Sequence, residues 1–161
     1  MEKSATDPSE GIRYAHTNLI ATDWRRMMDF YCQVFGCRPV SSERDHKGTQ
    51  FEALTAMPGA NAKGQHLLLP GHGDGGPTLE IFQYRENDPA LSPRINRPGF
   101  THIAFEVPDV EGKRAEVLAW GGRDYGKLIT LDIPGAGKLT LMYMCDPEGN
   151  VIELQRWHRG K

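Results

Sequence analysis

Four residues sit where strand chemistry disfavours them. His16 opens "HTNLI", Glu80 interrupts "TLEIF", His102 opens "HIAFEV" and Glu153 interrupts "VIELQ". A carboxylate inside an apolar strand is costly unless it is paired, protonated or bound to a cation. Two neutral imidazoles and two carboxylates together make a donor set for a divalent ion, with Zn, Ni, Co, Mn and Fe all compatible. Taken singly, each has a plainer reading. A strand histidine is usually a satisfied core or exposed residue, and a Glu on an edge strand is usually a solvated face. The spacing favours the joint reading, because the four recur in pairs at matching positions of a repeat.

That repeat supplies the elements that must position them. From His16 the chain reads "HTNLIATDWRRMMDFYCQVFGC", and from His102 it reads "HIAFEVPDVEGKRAEVLAWGG". Each copy is a strand with His near its start, a turn, a helix and a glycine stop, at the same distance from the histidine. The first helix is expected over about 23–35. Trp24, Met27, Met28, Tyr31 and Phe35 form one apolar stripe, Thr22 or Asp23 caps the start and Gly36 ends it. The second helix starts at Asp109 and ends at Gly121-Gly122, with a weaker stripe of Val110, Val117 and Leu118 broken by Gly112. Strands close each half: "CRPVSSERD", "TQFEALTAM" and "PTLEIFQY" in the first, "KLITLDI", "LTLMYMC" and "VIELQRW" in the second. "PGAGK" and "DPEGN" supply turn chemistry between the latter three.

The expected architecture is therefore α+β, two paired βαβββ modules forming a β-sheet cleft. The first module spans 12–84, with a Gly/Pro-rich insertion at about 56–78. A proline-bearing linker covers 85–99, and the second module spans 100–157. Residues 1–11 read as a frayed, polar tail and not as a signal peptide. Across 161 residues the chain is 39% hydrophobic and 25% charged with a formal net charge of −2. It has no basic excess to hold nucleic acid or anionic lipid, and no apolar run long enough to span a membrane. Cys32, Cys37 and Cys145 form no CxxC, which points to a reducing cytoplasm.

"GFTHIAFEVPDVE", the ending "DPEGNVIELQRW" and the paired modules resemble the vicinal oxygen chelate superfamily, over about Ile12 to Trp157. That superfamily includes glyoxalase I, methylmalonyl-CoA epimerase, extradiol dioxygenases, fosfomycin-resistance enzymes and bleomycin-binding proteins. The resemblance implies a metal in the cleft, held by His16, Glu80, His102 and Glu153, with open positions for adjacent substrate oxygens. The His-Glu-His-Glu set resembles bacterial glyoxalase I (lactoylglutathione lyase) and lies one substitution from the epimerase pattern. It implies a metal-dependent isomerase, epimerase or lyase that moves a proton alpha to a carbonyl through a metal-bound enediolate. Glu153 is the first choice for the base, and Glu80 is its pseudo-symmetric partner.

Two alternatives stand beside this. An Fe(II) extradiol-type dioxygenase needs a facial triad with three open positions, and a fourth ligand at Glu80 counts against it. A non-catalytic small-molecule binding or resistance protein would lack the ligands. The expected partners are a small-molecule substrate with adjacent oxygens and a second copy of the chain, since the family builds its cleft within one chain or across a homodimer. Arg13, Arg25, Arg26, Arg97, Lys127 and Lys138 are candidate cations around the cleft. Tyr14 and Asn18 share the strand face of His16, whereas Phe105 faces the core, and Met142 and Met144 read as core. His46, His66, His72 and His158 read as solvated.

Overall fold

The structure is a computed structural model and describes residues 9–158. The expected tail falls mostly on residues 1–8, outside that range; Ser9 to Gly11 form a turn.

The first helix follows its apolar spacing closely. After strand β1 (His16–Ile20), helix α1 runs Trp24–Phe35. Asp23 caps it by accepting from the Arg26 N–H at 3.1 Å. Gly36 closes it at φ 69°, in the left-handed region that a side chain resists. The whole stripe Trp24, Met27, Met28, Tyr31 and Phe35 is buried. The second helix, α3 (Val110–Ala119), buries only Val110 and Val117, and Leu118 stays 40% exposed. Gly112 has a specific role there: a Cβ on it would lie 2.5 Å from Oδ2 of the capping Asp109.

The first module departs from expectation in its middle. "CRPVSSERD" contributes two short strands, β2 (Arg38–Pro39) and β3 (Arg44–Lys47). "TQFEALTAM", expected as a strand, is helix α2 (Thr49–Thr55). Gln, Glu, Ala and Leu are good helix formers, and Gly48 and Ala56 stand at its ends. The missing strand is β4 (Asn61–Leu68), inside the stretch read as an insertion, and the remaining loop leads to β5 (Thr78–Tyr84). The second module follows as β6 (His102–Glu106), α3, β7 (Arg123–Asp124), β8 (Ile129–Ile133), β9 (Gly137–Cys145) and β10 (Val151–His158).

Two five-stranded sheets result, ordered β1-β5-β4-β2 with β3 beside β4, and β6-β10-β9-β7 with β8 beside β9. The first and last strands of each module pair in parallel: β1 with β5 and β6 with β10. Leu79, Ile81, Phe105, Met142, Met144, Ile152 and Leu154 turn their side chains to one core with the inner faces of α1 and α3. The core is continuous across the modules. Phe35 of α1 stacks on Phe105 of β6, ring centroids 4.0 Å apart at 14°.

The "DPEGN" turn is part of that joint. Asp146 is completely buried. It accepts from the Tyr31 hydroxyl at 3.0 Å, from Asn150 Nδ2 at 2.8 Å, and from the backbone N–H groups of Glu148 and Asn150. Glu148 reaches across and accepts from the backbone N–H groups of Thr22 and Asp23, both at 2.7 Å. A carboxylate at the N-terminus of α1 also complements the helix dipole.

Candidate metal centre

Both modules place their unusual residues by the same register. In the first, His16 pairs with Thr78, two residues before Glu80. In the second, His102 pairs with Val151, two residues before Glu153. Side chains two apart on a strand share a face, so each histidine and its glutamate emerge together on the face opposite the helices.

The resulting geometry is nearly identical. His16 Nε2 lies 3.6 Å from Glu80 Oε2, and His102 Nε2 lies 3.5 Å from Glu153 Oε2. Both separations are long for a hydrogen bond. They match two donors sharing one ion: ligand distances of about 2.1 Å in tetrahedral geometry put neighbouring donor atoms about 3.4 Å apart. Thr101 Oγ1 engages His102 Nδ1 at 3.1 Å, leaving Nε2 to face Glu153. A second contact of this type on a ligating histidine commonly fixes ring orientation. The residues present fit a divalent ion, and they do so in pairs. Among the described residues, no three His, Cys, Asp or Glu side chains gather into a metal-holding group.

Each carboxylate also faces a donor on the neighbouring antiparallel strand. His66 stands opposite Glu80, and its Nε2 lies 2.9 Å from Oε1. Tyr143 stands opposite Glu153. Burial pushes the His66 pKa down, against the opposing pull of Glu80. Burial pushes the Tyr143 pKa up, and the Glu153 charge adds to it. Asn18 Nδ2 donates to Glu80 Oε2 at 2.8 Å, while the residue in that register beside Glu153 is Ala104.

The reading of His66 as solvated is corrected: it is half-buried and bonded on both ring nitrogens. It was hidden because β4 was not recognised as a strand, so nothing placed residue 66 across from residue 80. His158 bonds Thr140 Oγ1 at 2.8 Å, and His46 stacks on Phe51. Tyr14 lies before β1, 66% exposed, and bonds Thr17. Of the candidate cations, Arg25 is taken up by Glu43 at 2.8 Å and by the Trp24 ring, and Arg13 donates to the Gly75 carbonyl. Arg97, with Arg94, lines a cavity of 560 Å³ between β1, β6 and the linker that also reaches His102.

Two modules, each a five-stranded sheet carrying a His/Glu pair on one face, define a paired-module α+β fold. The comparison with known families agrees. Residues 13–154 match the Glyoxalase/Bleomycin resistance protein/Dioxygenase superfamily, and the chain belongs to it. No curated protein matches the sequence. Among solved structures, a glyoxalase family protein from Bacillus cereus superposes with a TM-score of 0.73 at 13% identity, covering 97% of this chain and 99% of that one. A glyoxalase I variant from Zea mays gives 0.59 at 17% identity, covering 88% of this chain and 45% of that one. A fosfomycin resistance protein from Listeria monocytogenes, complexed with Mn(II) and sulfate, gives 0.52 at 16% identity over 89% and 91%. At these identities the likeness speaks for the fold.

Proposed function

We propose that the chain is a divalent-metal-dependent enzyme of glyoxalase type, which moves a proton alpha to a carbonyl on a small substrate with adjacent oxygens. The observation that carries this reading is the pair of matched Nε2···Oε2 separations, 3.6 Å and 3.5 Å, on equivalent strands of the two modules. His16, Glu80, His102 and Glu153 would hold the ion. A bound ion supplies Lewis-acid polarisation of neighbouring substrate oxygens, with its identity open among Ni, Zn, Co, Mn and Fe.

The two carboxylates are not equivalent. Glu80 accepts from both His66 and Asn18, so its movement breaks two hydrogen bonds. Glu153 has Tyr143 and Ala104 as its register neighbours. That freedom supports Glu153 as the base that takes and returns the proton, with Glu80 as the fixed ligand.

The pairs meet in our reading across a homodimer, with His16 and Glu80 of one protomer facing His102 and Glu153 of its partner. Exposed apolar side chains on the same faces support it: Ile20 on the Glu80 face at 43%, and Ile129 and Leu131 on the Glu153 face at 46% and 42%. A reducing, cytoplasmic setting is part of the reading, in keeping with free Cys32, Cys37 and Cys145.

Metal analysis of the purified protein tests the reading, followed by exchange of a substrate alpha proton with solvent deuterium across a panel of hemithioacetals and thioesters. The expected result is stoichiometric divalent metal and EDTA-sensitive exchange that Glu153→Gln abolishes. Protein that takes up no divalent ion with all four residues intact would overturn it. Oxygen consumption with ferrous iron, barely altered by Glu80→Gln, would assign the dioxygenase alternative instead.

A further inference from the structure

Glu80 is gripped at both oxygens, and one grip has a fixed polarity. His66 Nε2 is 2.9 Å from Glu80 Oε1, and His66 Nδ1 is 2.9 Å from Thr78 Oγ1. An ionised carboxylate only accepts, so Nε2 must carry the hydrogen; in the neutral ring Nδ1 is then an acceptor, and the Thr78 hydroxyl must donate. All three residues emerge on the same face, since His66 pairs with Glu80 across β4–β5 and Thr78 precedes Glu80 by two on β5. The contact occupies Oε1 and leaves Oε2, which also accepts from Asn18, turned towards His16 Nε2 at 3.6 Å. The second module shows the contrast: Glu153 meets Tyr143 at the position of His66, and Val151 stands where the first module has Thr78.

We propose that His66 is a positioning residue. The Glu80 carboxylate sets its Nε2–H tautomer, Thr78 holds the ring in place through Nδ1, and the ring in turn holds Glu80 with one oxygen presented beside His16. The proposal rests on the reading of His16 and Glu80 as half of a metal centre. It makes the first module the preorganised side, assembled before any ion arrives, whereas the second lacks the relay.

The test uses the full chain with two readouts. The first is 15N NMR of the histidine side chains in metal-free protein near pH 8. It should show His66 neutral with hydrogen on Nε2 in the wild type, in Thr78→Ser and in Thr78→Val, because the Glu80 carboxylate that demands it is present in all three. The second is Mn(II) affinity by chelator competition. His66→Leu should weaken binding by about 10–100-fold, the range typical of groups that orient metal ligands. His66→Gln, whose amide N–H reaches towards the same oxygen, should recover most of the loss, and Thr78→Val should show a smaller loss than His66→Leu.

Hydrogen on Nδ1 in the metal-free wild type would overturn the proposal. So would unchanged affinity in His66→Leu, or a His66→Gln variant as weak as His66→Leu. If His66→Leu does not fold, the Mn(II) affinities of the Thr78→Val and Thr78→Ser pair decide. Wild-type protein that binds no Mn(II), or any other divalent ion, would overturn the metal reading itself; the tautomer measurement would still judge the relay.

Discussion

If the metal centre is shared between protomers, damage in one module can be complemented by damage in the other. Take one variant with the first half-site removed, His16→Ala/Glu80→Gln, and one with the second removed, His102→Ala/Glu153→Gln. Each homodimer then carries two centres of only two ligands. A mixed dimer carries one centre lacking all four ligands and one with all four intact. Equal mixing and random reassociation make half of the dimers mixed, so about one quarter of the wild-type centres should return, as two-fold symmetry requires. The assay unfolds and refolds the mixture, confirms mixed dimers by native mass spectrometry, and measures bound Mn(II) per chain with alpha-proton exchange alongside. The pairs make this clean, because each His/Glu set belongs to one sheet and the substitutions in one module leave the other's 3.6 Å or 3.5 Å pairing untouched. Mixed dimers present in the statistical amount, with metal binding no higher than either parent, would refute the shared centre.

Asp146→Asn should cost about 2–3 kcal/mol of unfolding free energy in urea, because four donors point at a buried carboxylate and the new amide cannot accept from all of them. Gly64→Ala should destabilise by about 3 kcal/mol or more, since its Cβ would lie 2.0 Å from the Ile81 carbonyl oxygen on β5. It should weaken Mn(II) binding as well, because β5 carries Glu80. Burial pushes the Cys37 thiol from 9.0 up to about 12. The folded protein therefore keeps a proton that the unfolded chain loses between those values. This contribution is complete below 9.0 and is lost as pH rises through the window, by about 1.4 kcal/mol per pH unit. Alkaline denaturation curves of Cys37→Ala should be flatter there by that amount, and an unchanged slope would count against a buried neutral thiol.

The residues that were legible in the sequence are those whose local pattern agrees with their tertiary role. Helix α1 has an apolar stripe, an Asp cap and a glycine stop, and all three are used as read. Glu80 and Glu153 stood out because a carboxylate conflicts with the apolar strand around it, and the repeat supplied their histidine partners. Strand β4 was illegible for the opposite reason. "NAKGQHLL" has no β-branched residue and a central glycine, and Gly64 is there because the Phe82 ring occupies the space of its side chain. Its strand character comes from pairing with β3 and β5, a tertiary override of propensity. With β4 unread, His66 had no neighbour, and a residue now central to the Glu80 environment looked like a solvated histidine. Leu118 erred the other way: the stripe of α3 is weaker than its spacing suggested, and the residue faces outward.

The docking of the "DPEGN" turn on α1 makes the covalent linker partly redundant. Glu148, Asp146 and the Phe35–Phe105 stack hold the modules together through contacts that do not involve residues 85–99. A chain nicked there should stay assembled as a two-fragment complex. A circular permutant that opens there and joins the old termini has no contact in this joint to lose. Such a chain would present the second module first, so the order of the modules along the gene becomes a matter of history more than of structural need.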